Sequence, residues 1–221
     1  MTTQPSKNVE AFAESIQWFG QASIKIQYSG KSIFIDPYKL KIRDKADAVL
    51  ITHPHFDHFS VEDIHKIATP ETVIFCPIEL KDKASALGLA KVYTVSPGFE
   101  SEWKGINIHA VPAYNVVKTD KHPKSSNWVG YILDFGHVKV YHTGDTERIP
   151  EMKSTECDII LLPLGQTYTM NSLDEAVKAV IDTKATVAMP IHYAMYEGTT
   201  ADAEQFKKML EDRVEVIIMK S

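Results

Sequence analysis

Three short apolar-rich segments follow one another near the start of the chain, at residues 16–19, 23–28 and 32–35. The middle one alternates apolar and polar side chains, the period-two pattern of a strand with one buried face. Gly20-Gln21 and Ser29-Gly30-Lys31 separate them with residues that suit hairpin turns. An antiparallel meander is expected, its third strand running into Asp36-Pro37. The residues before it, about 1–8, show no such pattern and are expected to be flexible.

The rhythm then changes. A wholly apolar run at 48–51 reads as a buried strand. Ser60 is a good N-cap for a helix over 61–67, with Glu62 and Asp63 in the first turn where the helix dipole favours them. A strand at 72–76, a helix over 78–87 closed by Gly88, and a strand at 91–95 complete a β-α-β-α-β passage. Strands return at 106–111, 128–135 and 138–142, the last two joined at Gly136-His137. The tail alternates strand 159–162, helix 172–182, strand 186–189, helix 201–212 and strand 214–219. Meanders that precede helices in each half predict a four-layer α-β-β-α sandwich of the mixed α/β class. At 221 residues the chain most plainly forms one domain over 1–221.

Chemistry-bearing residues stand just beyond the apolar strands. Thr52-His53-Pro54-His55-Phe56-Asp57-His58 places three of the nine histidines and a carboxylate at the end of the 48–51 strand. Imidazole and carboxylate form the ligand set of zinc, iron or manganese. Asp145 follows the 138–142 strand after Gly144, which permits a tight turn. His192 follows the 186–189 strand, and Asp36 follows 32–35. Asp36 is expected to orient the histidine cluster by hydrogen bonds rather than to bind metal itself. Tyr168 and Tyr193 flank the same rim, where either could donate to a developing oxyanion, with core packing as the alternative.

His53-x-His55-x-Asp57-His58, Thr143-Gly144-Asp145 and Pro190-Ile191-His192-Tyr193, in that order, resemble the signature of the metallo-β-lactamase superfamily. The likeness runs from about residue 16 to the end. The stretch 162–170 is further similar to small metal-dependent hydrolases allied to the ascorbate-phosphate lactonases. The resemblance implies two divalent cations, zinc first and manganese or iron as alternatives. His53, His55 and a third histidine would hold one; Asp57, His58 and His192 would hold the other; Asp145 would bridge. Hydroxide bound between cations at about 3.5–4 Å separation would be the nucleophile, with Asp57 steering it or relaying its proton and Tyr168 and His192 beside it. The sequence departs from the pattern at the third histidine. Val111-Pro112-Ala113-Tyr114-Asn115 stands where that residue often falls, and His122, in the long loop 112–127, is the nearby substitute. His109, inside a strand, is expected to be structural.

Composition narrows the field only modestly. A formal charge of −5 and scattered Lys and Arg give no footprint for nucleic acid. The exception is Lys118, Lys121 and Lys124, which could favour an anionic substrate such as a sugar phosphate, a solvated loop with ordinary lysines being the equal alternative. Cys76 and Cys157 lie in or beside apolar runs and read as buried thiols. No apolar leader or membrane-length run is visible, so a cytoplasmic enzyme with a small-molecule substrate is expected. Esters, lactones and phosphoesters all fit the machinery. A phosphodiesterase or nuclease, and a non-catalytic metal-binding module, are the alternatives.

Overall fold

The computed structural model describes residues 4–221. In the first sheet, β1 (Ile16–Trp18), β2 (Ile24–Tyr28), β3 (Lys31–Ile35), β4 (Ala48–Leu50), β5 (Val73–Pro77) and β6 (Lys91–Val95) lie side by side in chain order. The first three pair antiparallel, and pairing from β3 to β6 is parallel. The second sheet repeats the plan. Its strands are β7 (Glu100–Trp103), β8 (Ile106–Pro112), β9 (Val129–Asp134), β10 (Lys139–His142), β11 (Ile159–Pro163), β12 (Val187–Ile191) and β13 (Glu215–Val216). Antiparallel pairing runs as far as β10, and parallel pairing from β10 to β13.

Strand periodicity sorts the side chains into layers. Ile33, Ile35, Ala48, Leu50 and Phe75 enter the core that contains the second sheet. Their neighbours Phe34, Val49, Ile51, Ile74 and Cys76 face the other way, onto α2 (Val61–Ile67) and α3 (Lys81–Ser85). Helices α4 (Leu173–Asp182) and α5 (Thr200–Leu210) pack on the second sheet through Val180, Phe206 and Leu210. This is the expected α-β-β-α arrangement. Tyr131 of β9 links the sheets, its buried hydroxyl donating to the Ile51 carbonyl at 2.7 Å. That bond anchors the point where β4 gives way to the histidine loop.

Several elements differ from the expectation. A first helix, α1 (Lys7–Ala13), is capped by Ser6 and buries Val9, Phe12 and Ala13 at helical spacing. Lys7 and Asn8 therefore belong to a helix rather than to a flexible 1–8 stretch, while residues 1–3 of that stretch lie outside the described residues. Phe12 packs on Phe135 with ring centroids 4.6 Å apart, so tertiary contact stabilises a helix too short to persist alone. Strand β7 was not expected because it is an edge strand with a single buried side chain, Trp103. The helix expected over 78–87 is a 3-10 turn, Ile78–Leu80, followed by the short α3, with no side chain capping either start. The strand expected over 214–219 shrinks to the two residues of β13. Cys76 and Cys157 are buried and unpaired, as expected. Among the described residues no helix is long and apolar enough to cross a membrane.

Candidate metal centre

Strands β3 and β4 run parallel in one sheet, and β10 and β12 run parallel through β11 in the other. Asp36, the 52–58 loop, Asp145 and His192 follow the C-terminal ends of β3, β4, β10 and β12 and meet at one edge of the sandwich. The chain turns there at strained backbone. Asp36 and His192 take φ of +45° and +55°, in the left-handed region that side chains with a Cβ disfavour. Gly144 takes φ +66°, and a Cβ there would stand 2.9 Å from the Val129 carbonyl oxygen. Only glycine lets β10 turn Asp145 into the centre.

Three groups of potential ligands close on one another: His53, His55 and His122; His53, His58 and Asp145; and Asp57, His58 and His192. Within each, the ligand atoms lie no more than 4.8 Å apart. Asp145 Oδ2 sits among them, 3.1 Å from His192 Nε2, 3.4 Å from His58 Nε2, 3.4 Å from His122 Nε2 and 3.9 Å from His53 Nε2. His122, drawn from a loop that carries no pattern of its own, is only 2 % exposed. Its ring lies 5.2 Å and 5.1 Å from those of His53 and His55. Asn115, which stands where the superfamily pattern often has its histidine, donates from its backbone N–H to the His122 carbonyl at 2.8 Å.

A shell of hydrogen bonds aims these rings. Asp36 accepts from Thr52 N at 2.8 Å and Thr52 Oγ1 at 2.6 Å, and its Oδ2 lies 2.7 Å from His58 Nδ1. His58 is thereby turned with Nε2 inward, the orienting role expected for Asp36. Glu197 does the same for His192, with Oε1 2.8 Å from Nδ1. Glu197 also accepts from Thr167 N, Tyr168 N and Thr169 Oγ1. Glu147 accepts from Val116 N, Val117 N and Lys118 N, and so folds the loop that carries His122. Gln21 reaches Asp57 and His192 from the β1–β2 turn. Nothing in the sequence flagged Gln21, Glu147 or Glu197. The two glutamates stand two and five residues beyond a candidate ligand, a nearness that periodicity does not register.

The electrostatics suit cations. Burial would push the Asp145 carboxyl up, but the His192 and His58 imidazoles beside it hold it well below the usual range. Burial would lower His192, but Asp145 and Glu197 raise it to about 10. His58 is likewise raised well above its usual value against burial, by Asp145 and Asp36. Burial and the neighbouring His58 push His53 well down. The carboxylates around His58 and His192 thus favour positive charge at the centre, which bound metal would supply. His58 Nε2, His122 Nε2 and Asp145 Oδ1 are buried with no hydrogen-bond partner among the described residues. A polar atom left in that state costs about 1–3 kcal/mol. The donor set, burial and unpaired atoms all fit divalent metal.

The centre floors a cleft of about 460 Å³ whose lining includes Phe56, Asp57, Tyr168 and Tyr196. Tyr168 stands on this lining, whereas Tyr193 stacks on Trp18 with centroids 5.0 Å apart and belongs to the core. His142 is structural too: Gly144 N donates to its Nδ1, and its Nε2 lies 2.9 Å from the Ala22 carbonyl. His109 is half-buried in β8 beside Glu100.

The profile of the beta-lactamase superfamily domain matches residues 15–192, from the start of β1 to the last candidate ligand. The chain belongs to the metallo-β-lactamase superfamily. Its relatives include a UPF0173 metal-dependent hydrolase of Methanopyrus kandleri, 31 % identical across 92 % of this chain and 96 % of that one. Another UPF0173 metal-dependent hydrolase, of Thermoplasma volcanium, is 32 % identical over 88 % of this chain and 90 % of its own. Among solved structures, a metallo hydrolase from Ignicoccus hospitalis superposes with a TM-score of 0.79 at 25 % identity, covering 93 % of this chain and 94 % of that one. At the level of a metal-dependent hydrolase of this superfamily, the expectation from sequence holds. The finer alliance with ascorbate-phosphate lactonases stays an expectation.

Proposed function

We propose that this hydrolase holds two divalent cations and cleaves a carboxylic ester or lactone bond in a small, largely apolar molecule. The observation that carries the reading is the meeting of the three ligand groups around Asp145 beneath the cleft, with buried ring nitrogens left unpaired. His53, His55 and His122 would hold the first cation, and Asp57, His58 and His192 the second, with Asp145 between them. Three imidazoles favour zinc at the first position, with manganese or iron as alternatives for the pair. Bound there, the cations would supply Lewis acidity, polarising the scissile bond and making water nucleophilic near neutral pH.

The chain's own groups do the rest. Asp57 Oδ2 is engaged by Gln21 at 2.9 Å, and the other carboxylate oxygen can take the proton that the attacking water gives up. His192, steadied by Glu197, fixes the second side of the centre. Tyr168, 40 % exposed on the cleft, would donate its hydroxyl to the oxyanion.

The lysines argue against a strongly anionic substrate. Lys118 donates to Asn171 at 2.7 Å, and Lys124 to Tyr114 and Glu151 at 3.0 Å each. Lys121 lines the cleft but pairs with Asp120 at 3.0 Å, leaving little net charge. Exposed Phe56, Tyr168 and Tyr196 surround the opening instead and would seat an apolar acyl or alcohol group. Two buried free thiols suit the reducing cytoplasm, which we take as its compartment.

The test is a panel of nitrophenyl esters of increasing acyl length, simple lactones and bis-nitrophenyl phosphate, offered to chelator-treated protein with zinc, manganese or iron restored. Metal-dependent turnover of esters or lactones, with KM falling as the acyl chain grows, is expected. Preference for the phosphodiester would refute the choice of bond. No turnover of esters or lactones in any metal form would refute the proposed ester or lactone chemistry.

A further inference from the structure

Gln21 reaches the centre from the turn between β1 and β2. It is 1 % exposed and held at φ +49°. Its backbone carbonyl accepts from Trp18 Nε1 and from His192 N, each at 2.8 Å. Gln21 and His192 are thus built as one unit.

The side chain ends where a metal ligand would. Its carboxamide nitrogen is 2.8 Å from His192 Nε2 and 2.9 Å from Asp57 Oδ2, atoms of two residues assigned above to the second cation. Neighbouring donors around one octahedral cation, each about 2.1 Å from it, stand about 3 Å apart. The tip of Gln21 therefore occupies the position of a further donor in the same shell. The other end of the amide, Oε1, is buried with no hydrogen-bond partner among the described residues.

Half a turn about the last side-chain bond exchanges oxygen and nitrogen without changing the shape of the group. Facing the Asp57 carboxylate alone, the nitrogen end is preferred. A cation held by Asp57 and His192 reverses the preference, because an N–H dipole repels it and a carbonyl oxygen attracts it.

We propose that Gln21 binds the second cation through Oε1. The proposal rests on the two-cation reading. It gives the two positions different character. The first has three imidazoles and suits zinc. The second, with Asp57, Asp145 and Gln21 oxygens beside two imidazoles, suits a harder ion such as manganese.

The experiment is a titration of the metal-free full chain with Co(II), followed by visible absorbance, and with Mn(II), followed by calorimetry. The proteins are the wild type, Gln21→Leu and Gln21→Glu. The wild type should take two equivalents, the second giving the weaker absorbance of a more highly coordinated ion. In Gln21→Leu the second equivalent should bind about 10–100-fold more weakly, with stronger, tetrahedral-like absorbance. Gln21→Glu, which keeps an oxygen donor, should retain the wild-type spectrum and bind at least as tightly.

If Gln21 merely steadies Asp57 as a hydrogen-bond donor, the order inverts. Gln21→Glu would set two carboxylates against each other and bind worse than Gln21→Leu, with no change in spectrum, which overturns the proposal. Thermal melts of the metal-free variants report folding, and if Gln21→Leu fails to fold, the sign for Gln21→Glu still decides. Two equivalents with unchanged variants would overturn the Gln21 assignment alone. Fewer than two in the wild type would overturn the dinuclear reading, and this proposal with it.

Discussion

Replacing Glu147 with glutamine should loosen the loop that carries His122 and weaken the first metal position. Glu147 is fully buried, and Oε2 accepts from Val116 N at 2.7 Å and Val117 N at 2.6 Å. Oε1 accepts from Lys118 N at 3.0 Å. Burial alone would raise its pKa, yet the hydrogen bonds from Val117, Lys118 and Val116 outweigh burial and hold it low. The carboxylate is therefore the form the loop is built around. In Glu147→Gln one oxygen becomes an NH₂ facing an N–H donor, so one bond to a charged acceptor, worth about 1.5–3 kcal/mol, is lost. The other two fall from charged to neutral strength, at about 1 kcal/mol each. The sum is about 3.5–5 kcal/mol, felt mostly as local opening of the 115–122 segment, because loops open without the rest of the fold. Since His122 departs with the segment, first-site affinity should drop about 10–100-fold, the range typical of groups that support metal ligands. Hydrogen exchange at Val116, Val117 and Lys118, together with chelator competition for the first metal, measures both effects. Wild-type protection with wild-type affinity would refute the idea that the buried Glu147 carboxylate builds the His122 position.

Asp36→Asn should weaken the second metal about 10–100-fold by losing the carboxylate 2.7 Å from His58 Nδ1, and chelator competition reads this directly. Gly165→Ala should destabilise the chain by about 1–3 kcal/mol, because the added Cβ would overlap the buried Glu197 carboxyl group; an unchanged melting temperature would contradict it. Asp63 accepts from Lys39 N and Leu40 N at 2.9 Å each and from Lys66 Nζ at 2.8 Å. Burial opposes ionisation there, but Lys66, Ser60 and the two backbone donors win and lower its pKa. A depressed folded value means its contribution is whole above the ordinary aspartate pKa of about 3.9 and is lost as pH falls through the lower folded value. Urea midpoints between about pH 2.5 and 5.5 should therefore fall less steeply towards acid in Asp63→Asn than in wild type; parallel slopes would contradict it.

Asp36, His53, His55, His58, Asp145 and His192 were readable from sequence because each stands just past an apolar strand, where a change of polarity marks a strand end. The sheets were readable for the same reason, wherever one strand face is buried and the other is not. Strand β7 escaped because an edge strand with one buried residue carries little alternation. Helix α1 escaped although Val9, Phe12 and Ala13 have helical spacing, since seven residues hold a helix only when packed, here on Tyr28 and Phe135. The lysine group of the 112–127 loop read equally as an anion contact or as solvated loop residues, and the folded loop sends Lys118 to Asn171 and Lys124 to Glu151.

What the sequence determined by itself is the alternation that makes two sheets and the polar residues at their strand ends, because both are local consequences of side-chain order. Tertiary structure decided that His122 faces Asp145, that Glu147 and Glu197 grip the flanking loops, and that Gln21 touches two of the candidate ligands. Those side chains come from segments far apart in the chain and follow no period. Their positions depend on buried backbone N–H groups finding carboxylate oxygens across the molecule, a pairing that exists only once the sheets have brought the loops together.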